Sequence, residues 1–417
     1  MESLNTVYQT NMNRFFAGIL IYSIATGLLF YILPGAVVNI IQLAALMLYV
    51  FYWTKLASLQ NIPTWYLRII IFIFLAWQCY IIYHGFIFNY PYVKEYLFSP
   101  DRFVQYLVPL VLFIPINNSA FLQKLFSYIY QLGLFFLVAF PFLFFFLIHK
   151  RAFAEQYIWT LAMGSGLTLL TAFYHSKRRF GIALAAMLLG LLLATVTARR
   201  SIMLSCGCFL LFAFFIFILT NKTITLLKKL GFICLVVLIS IAGYGIYISN
   251  QGGMFSKITE RAGENTREVV FLAYFLDMTE TDLAIGKGIN GTYYCPGVDE
   301  DWIGHALSYK DLDNRIYIEC GYLQLVLNGG IVYLALFLLV LFPAIVLGLG
   351  FSKNVFSKGC ALLILLWLID MAPYGLPSFT LRYFLVWFCV ALCFSKAIRT
   401  MNDEDIKALL YPEKTVL

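Results

Sequence analysis

Two adjacent arginines, Arg199 and Arg200, stand almost without a loop between two apolar runs, in TVTARRSIML. Fixed cations at such a place are expensive unless they face an anion or a water-filled cavity. Guanidinium suits oxyanions, because its planar fork grips a phosphate or carboxylate through two parallel hydrogen bonds. A second set follows in SKITERAGENTREVVFLAYFLDM, where Arg261 and Arg267 alternate with Glu260, Glu264 and Glu268. It reads either as a solvated helix laced by ion pairs or as a guanidinium cluster for phosphate. The run behind Arg267 is too short to span a bilayer and amphipathic enough to lie on one or pack against the bundle. Arg315 and Glu319 stand just before a glycine-rich apolar helix, in NRIYIECGYLQLVLNGG. Glu319 is there either paired with Arg315 or placed to serve as general base. His305, in the acidic stretch DEDWIGHALSYKDLDN, is the second candidate base. Alone it makes no metal site.

Between these groups, AIGKGINGTYYCPG spaces Gly286, Gly288 and Gly291 for a tight turn close to a ligand. It is neither a Walker loop nor a dinucleotide fingerprint, since no strand–helix context surrounds it. Tyr293, Tyr294 and Trp302 offer aromatic faces that suit sugar stacking or a membrane interface. Cys295 and Cys320 flank the polar stretch and are the two that a disulfide would join. Cys206 and Cys208 sit in an apolar run as small hydrophobes.

The elements that must hold these groups follow from composition. Of 417 residues, 62% are hydrophobic and 12% charged, with mean hydropathy +0.84. Soluble domains carry roughly 25% charged residues, so lipid is the solvent implied. The net charge of +8 lies mostly between apolar runs, the pattern of helix-end anchors rather than of a nucleic-acid surface.

A bilayer core about 30 Å thick takes roughly 20 apolar residues per helix. On that ruler spans are expected near 14–33, 36–54, 68–88, 103–116, 125–148, 157–175, 181–198, 202–220, 230–249, 321–351, 359–376 and 380–396. The first reads as a retained span rather than a cleaved signal. The fourth holds Pro109 and Pro115 and is expected to kink or re-enter. The tenth is long enough to bend at Gly329–Gly330. The fold class expected is an all-α polytopic membrane protein of about twelve spans: an N-terminal bundle over 1–249, a large loop over 250–320 with short amphipathic helices, three spans over 321–396 and a tail over 397–417. Lys55 to Arg68, Lys177-Arg178-Arg179, Lys222 to Lys229, Lys353 to Lys358 and the tail after Lys396 fall on one side when twelve spans alternate. Positive charge marks that side as cytoplasmic, with both termini there and the large loop outside. Arg102, Lys150-Arg151, Arg199-Arg200 and Arg382 then stand against the rule on the outer side. They either snorkel to lipid phosphates or serve a site.

Taken together, these motifs resemble the O-antigen polymerase/ligase superfamily, the Wzy-type polymerases and WaaL-type ligases of bacterial surface-polysaccharide assembly. About a dozen spans, one large late outer loop, ARRS at an outer helix end, R-x5-R at the loop start, the GKG turn and the closing GYLQLVLNGGIVYLALFL carry the likeness. The resemblance implies a metal-independent, cofactor-free, GT-C-type glycosyltransferase at the periplasmic face of the inner membrane. Such an enzyme moves a glycan from undecaprenyl diphosphate onto an acceptor hydroxyl with inversion. Arg199 and Arg200 match the family's outer helix-end arginine, and Arg261 and Arg267 match its loop arginines for diphosphate. Arg315, Tyr293, Tyr294 and Tyr322 complete the expected substrate surface. Partners implied are the lipid-linked oligosaccharide, the bilayer and a chain-length regulator. Ligases usually carry a His-Asn-type pair where this chain has Glu319-Cys320-Gly321-Tyr322. That departure favours polymerase over ligase. The rival from another class is a transporter or flippase, for which Asp370, deep in LWLIDMAPYG, would be the proton-coupling group; the competing role for Asp370 is to face a polar group of a neighbouring helix.

Overall fold

A computed structural model describes residues 2–197, 199–220, 266–295 and 314–411. The expected ninth span, Arg261, Trp302 and His305 lie outside the described residues, as does the side chain of Arg267. Among the described residues the chain is almost wholly helical, and seven helices are long and apolar enough to cross a membrane. The only sheet among them is a two-residue ribbon. This is the all-α membrane architecture that the composition requires.

Helices α1 (Glu2–Gly27) and α2 (Gly35–Leu56) form a hairpin. Helices α3 (Trp65–Gly85), α5 (Ser119–His149) and α8 (Lys177–Val196) each begin at a hydroxyl or amide side chain that caps a free N–H, namely Thr64, Asn118 and Ser176. Between α3 and α5 lies short α4 (Tyr90–Phe98), then a 3-10 segment, Phe103–Phe113, containing Pro109. Most of that segment is buried inside the bundle. Here 103–113 is a buried 3-10 segment rather than a straight α-helical span, because Pro109 cannot donate to an α-helical ladder.

The stretch 157–175 departs from the expected straight span. It runs as α6 (Arg151–Tyr157), a π-turn over Ile158–Ala162, α7 (Ser165–Leu170) and a 3-10 turn, nearly all buried. Hydropathy marks it as membrane-embedded but says nothing of hydrogen-bond register, and broken backbone at membrane depth is tolerated where protein surrounds it. Helix α9 (Arg200–Thr220) follows.

Helix α12 (Gly321–Gly350) bends at Gly330, whose φ is 71° and ψ −178°. The bend removes donors from the carbonyls one turn earlier, and each finds another. Lys287 N–H donates to the Leu327 carbonyl at 2.8 Å, Gly288 N–H to Asn328 at 2.9 Å, and the Trp77 indole to Gly329 at 2.8 Å. The GKG turn therefore packs against the backbone of the bent helix. Gly286 and Gly288 have φ near +80°, and a Cβ on Gly286 would sit 2.4 Å from Gly329 N. Amphipathic α10 (Thr266–Asp277) and α11 (Glu280–Ile285) precede this turn. Helix α10 packs Val270 and Tyr274 against Tyr293, Ile318 and Leu327, so this run packs on the bundle.

Helix α13 (Val355–Met371) leads to α14 (Leu381–Phe394), in which every residue but Arg382 is buried. An all-round apolar helix of that kind belongs at the centre of a bundle. The tail, α15 (Lys396–Thr400) and α16 (Asp403–Leu410), docks at one end. There Asn354 donates to the carbonyls of Ile398 and Met401, and Tyr411 bonds to His175 and Arg179. Two of the basic segments, around Lys177–Arg179 and Lys353–Lys358, thus share an end with the tail.

Candidate functional site

The opposite features of the chain, its exceptional cations, also come together. Arg199 precedes α9 and pairs with Glu155 of α6, Nη1 to Oε2 at 3.2 Å, with 29% and 16% of the two side chains exposed. The π-turn that begins three residues after Glu155 sets its neighbour Trp159 inward, where the indole lies over Arg382 at 3.6 Å. A second indole, Trp367, flanks the same guanidinium at 4.5 Å. Arg382 bonds to Asp370, and Asp370 also accepts from Ser205 at 2.5 Å. Asp370, 3% exposed, therefore faces polar groups of neighbouring helices, the structural role weighed against proton coupling. Ser205, Asp370 and Arg382 line a small cavity with Met163, Phe209 and Trp367.

Glu155 lies within electrostatic reach of Glu319 and Arg382 as well as Arg199. Tyr374, between α13 and α14, faces Glu155, Glu319, Asp101 and Tyr317. Tyr317 in turn stacks under Arg102, 4.9 Å from guanidinium carbon to ring centre. Arg102 is 3% exposed, donates to the Ile289 carbonyl at 3.0 Å, and has Nε and Nη2 without a partner among the described residues. Electrostatic neighbours thus link Arg102 to Arg199 in a polar seam of residues far apart in sequence. Burial pushes the Glu155 carboxyl above the usual carboxylate range, while Arg199 opposes the rise by favouring the charged form.

The expected site residues divide. Arg199 and Glu319 both reach Glu155 and so belong to one cluster. Arg200 opens α9 and is exposed, so the adjacent pair splits in direction. Arg315 lies in the ribbon β1 (Tyr293–Tyr294) with β2 (Asn314–Arg315), opposite Tyr293, and its Nη1 is buried without a partner among the described residues. Because 314–320 is strand and bend rather than helix, its four-residue distance from Glu319 has no helical meaning. Tyr293 is fully buried against Tyr274 and donates to the Tyr317 carbonyl at 3.0 Å, so its ring packs the loop and offers no open face. Tyr294 is 51% exposed. Tyr322 donates to the Leu368 carbonyl at 2.6 Å and ties α12 to α13. Cys295 and Cys320 are both free thiols. Arg102 and Arg382, read as lipid anchors or site groups, are a buried and a partly buried cation held by aromatic rings and polar atoms. Glu155 carried no signal in the sequence, being one carboxylate beside Lys150 and Arg151 in KRAFAEQYIW.

No protein-family model matches the chain, and no curated protein matches it.

Proposed function

We propose that the chain is an inner-membrane polysaccharide polymerase of GT-C type, with about twelve spans, cytoplasmic termini and a periplasmic site. It would transfer a glycan from undecaprenyl diphosphate to a second lipid-linked repeat unit with inversion. The observation that carries this reading is the Arg199–Glu155 pair with Arg382 and Glu319 in electrostatic reach. A diphosphate is already a competent leaving group, so the chief task is to stabilise charge growing on the bridging oxygen. Preorganised cations in a water-poor cleft do this, each such donor being worth roughly 3–4 kcal/mol. Arg199 is the first of these, with Arg315 and the loop arginines Arg261 and Arg267 as further ones. A carboxylate of this cluster, Glu319 or Glu155, takes the acceptor proton. A flippase has less support, because Asp370 is engaged by Arg382 and Ser205. A ligase would share the diphosphate site and differ only in acceptor.

The test is reconstitution of the full chain in proteoliposomes with a lipid-linked repeat unit isolated from the producing strain. Products longer than one repeat are expected. Transfer only onto lipid A–core would make the chain a ligase, and translocation without transfer would overturn the reading.

A further inference from the structure

In the seam described, Arg102, Arg199 and Arg382 stand among the carboxylates Asp101, Glu155, Glu319 and Asp370. A diphosphate entering such a carboxylate-bearing cluster must displace a carboxylate from its cation or meet one that has taken a proton. Glu155 is the carboxylate placed for that exchange. Its Oε2 lies 3.2 Å from Arg199 Nη1, while Arg199 Nε is buried and without a hydrogen-bond partner among the described residues. That is half of a fork, and an oxyanion can use both edges. The pair is shielded but not sealed. Arg199 also stands at the start of a 21-residue helix, whose positive end favours an anion. By contrast, the neighbouring Asp370–Arg382 pair is locked by two indoles and Ser205.

We propose that Glu155 is a built-in stand-in for phosphate: it holds Arg199 in the empty site, yields it to the donor diphosphate, and then accepts the proton of the attacking hydroxyl. The second half rests on the polymerase reading; the first does not. In the transfer step the acceptor oxygen bonds to the anomeric carbon as the anomeric C–O bond to diphosphate breaks. The bonding pair leaves with undecaprenyl diphosphate beside Arg199, and the hydroxyl proton goes to the Glu155 carboxylate. Losing its counter-charge strengthens Glu155 as a base, since an opposite charge within a few ångströms had favoured its ionised form. Base strength is thereby coupled to donor occupancy, which suppresses wasteful deprotonation of the acceptor alone. Glu319, Arg382, Tyr31 and Tyr374 face Glu155 from the other elements, and Glu319 adds a like charge that raises its affinity further.

The experiment measures binding of inorganic pyrophosphate to the purified full chain by calorimetry, then turnover in proteoliposomes. Glu155→Gln frees Arg199, so pyrophosphate is expected to bind about tenfold tighter, equivalent to about 1.4 kcal/mol. Glu319→Gln, which removes a nearby charge and leaves the Glu155–Arg199 pair in place, tightens it less. Turnover of Glu155→Gln falls by at least about 100-fold without a rise in KM, and its acid limb disappears. A purely structural role would weaken binding and turnover together. Glu155→Asp keeps the charge and must keep the acid limb at reduced rate, which covers a Gln variant that fails to fold. Pyrophosphate binding no tighter in Glu155→Gln than in Glu319→Gln overturns the stand-in, and an intact acid limb in Glu155→Gln overturns the base. Tighter binding in a chain that makes no polymer supports the stand-in and overturns the polymerase instead.

Discussion

Asp370→Asn strips the carboxylate from a buried ion pair and leaves Arg382 charged between Trp159 and Trp367. Asp370 is 3% exposed and the Arg382 side chain 15%, so water replaces little of what is lost. Removing one partner of such a pair typically costs 3–5 kcal/mol. The two indoles, 3.6 and 4.5 Å from the guanidinium, continue to attract it, and each desolvated cation–π contact is worth up to about 2 kcal/mol. They argue for the lower end, about 3 kcal/mol. Asp370→Leu with Arg382→Met removes both charges and is expected to cost about 1 kcal/mol or less, because apolar replacement of a whole buried pair is often neutral. The assay is unfolding in mixed micelles followed by tryptophan fluorescence, run as a double-mutant cycle. Additive losses in the double variant would refute the pair as a coupled unit. The double variant is further expected to fold yet polymerise poorly, because Arg382 also faces Glu155.

Gly330→Ala should lower stability by at least about 3 kcal/mol, since its backbone region is nearly glycine-only and a Cβ would sit 2.0 Å from the Ala284 carbonyl oxygen. Trp77, bonded to Gly329, reports the change by fluorescence; an unaltered spectrum and melting point would contradict the bend. The Glu155 carboxyl lies above the usual carboxylate range and acts as a base only when ionised, so kcat/KM should fall as pH drops through that raised pKa. Arg199→Gln removes the charge that opposes the rise, so the acid limb of its residual activity should move to higher pH; a limb moving lower would contradict the assignment. Arg102→Met should loosen the 3-10 segment from the turn at Ile289 by about 2 kcal/mol, with faster proteolysis near Ile289 as the readout.

The membrane class, the position of most helices and the bend at Gly329–Gly330 were legible because hydropathy and glycine placement act locally. Pro109 likewise announced the break in the α-helical path over 103–113. What was not legible depends on register between distant segments. The run 157–175 is apolar throughout and reads as a span, yet Gly164 and Gly166 stand within a broken, buried path whose π-turn re-aims Trp159. Glu155 acquires meaning only when Arg199, over forty residues later, is folded onto it. Arg102 and Arg382 were visible as exceptions to the charge rule, but their aromatic and carbonyl partners lie in other elements. The GKG turn misled in a useful way: its glycines permit close approach, and the thing approached is the kinked helix. Tyr293 illustrates the same limit, since a ring suited to stacking on sugar stacks equally well in a loop core.

The most direct test of the account compares wild type with Arg199→Ala and with Arg199→Ala/Glu155→Gln in proteoliposomes holding the lipid-linked repeat unit, with and without EDTA. The double variant carries no unpaired charge at this position, so a fold like wild type is expected. Wild type should extend the repeat in EDTA, and both variants should lose at least about 100-fold in rate. A double variant that still builds long polymer at the wild-type rate would contradict the claim that Arg199 carries the diphosphate.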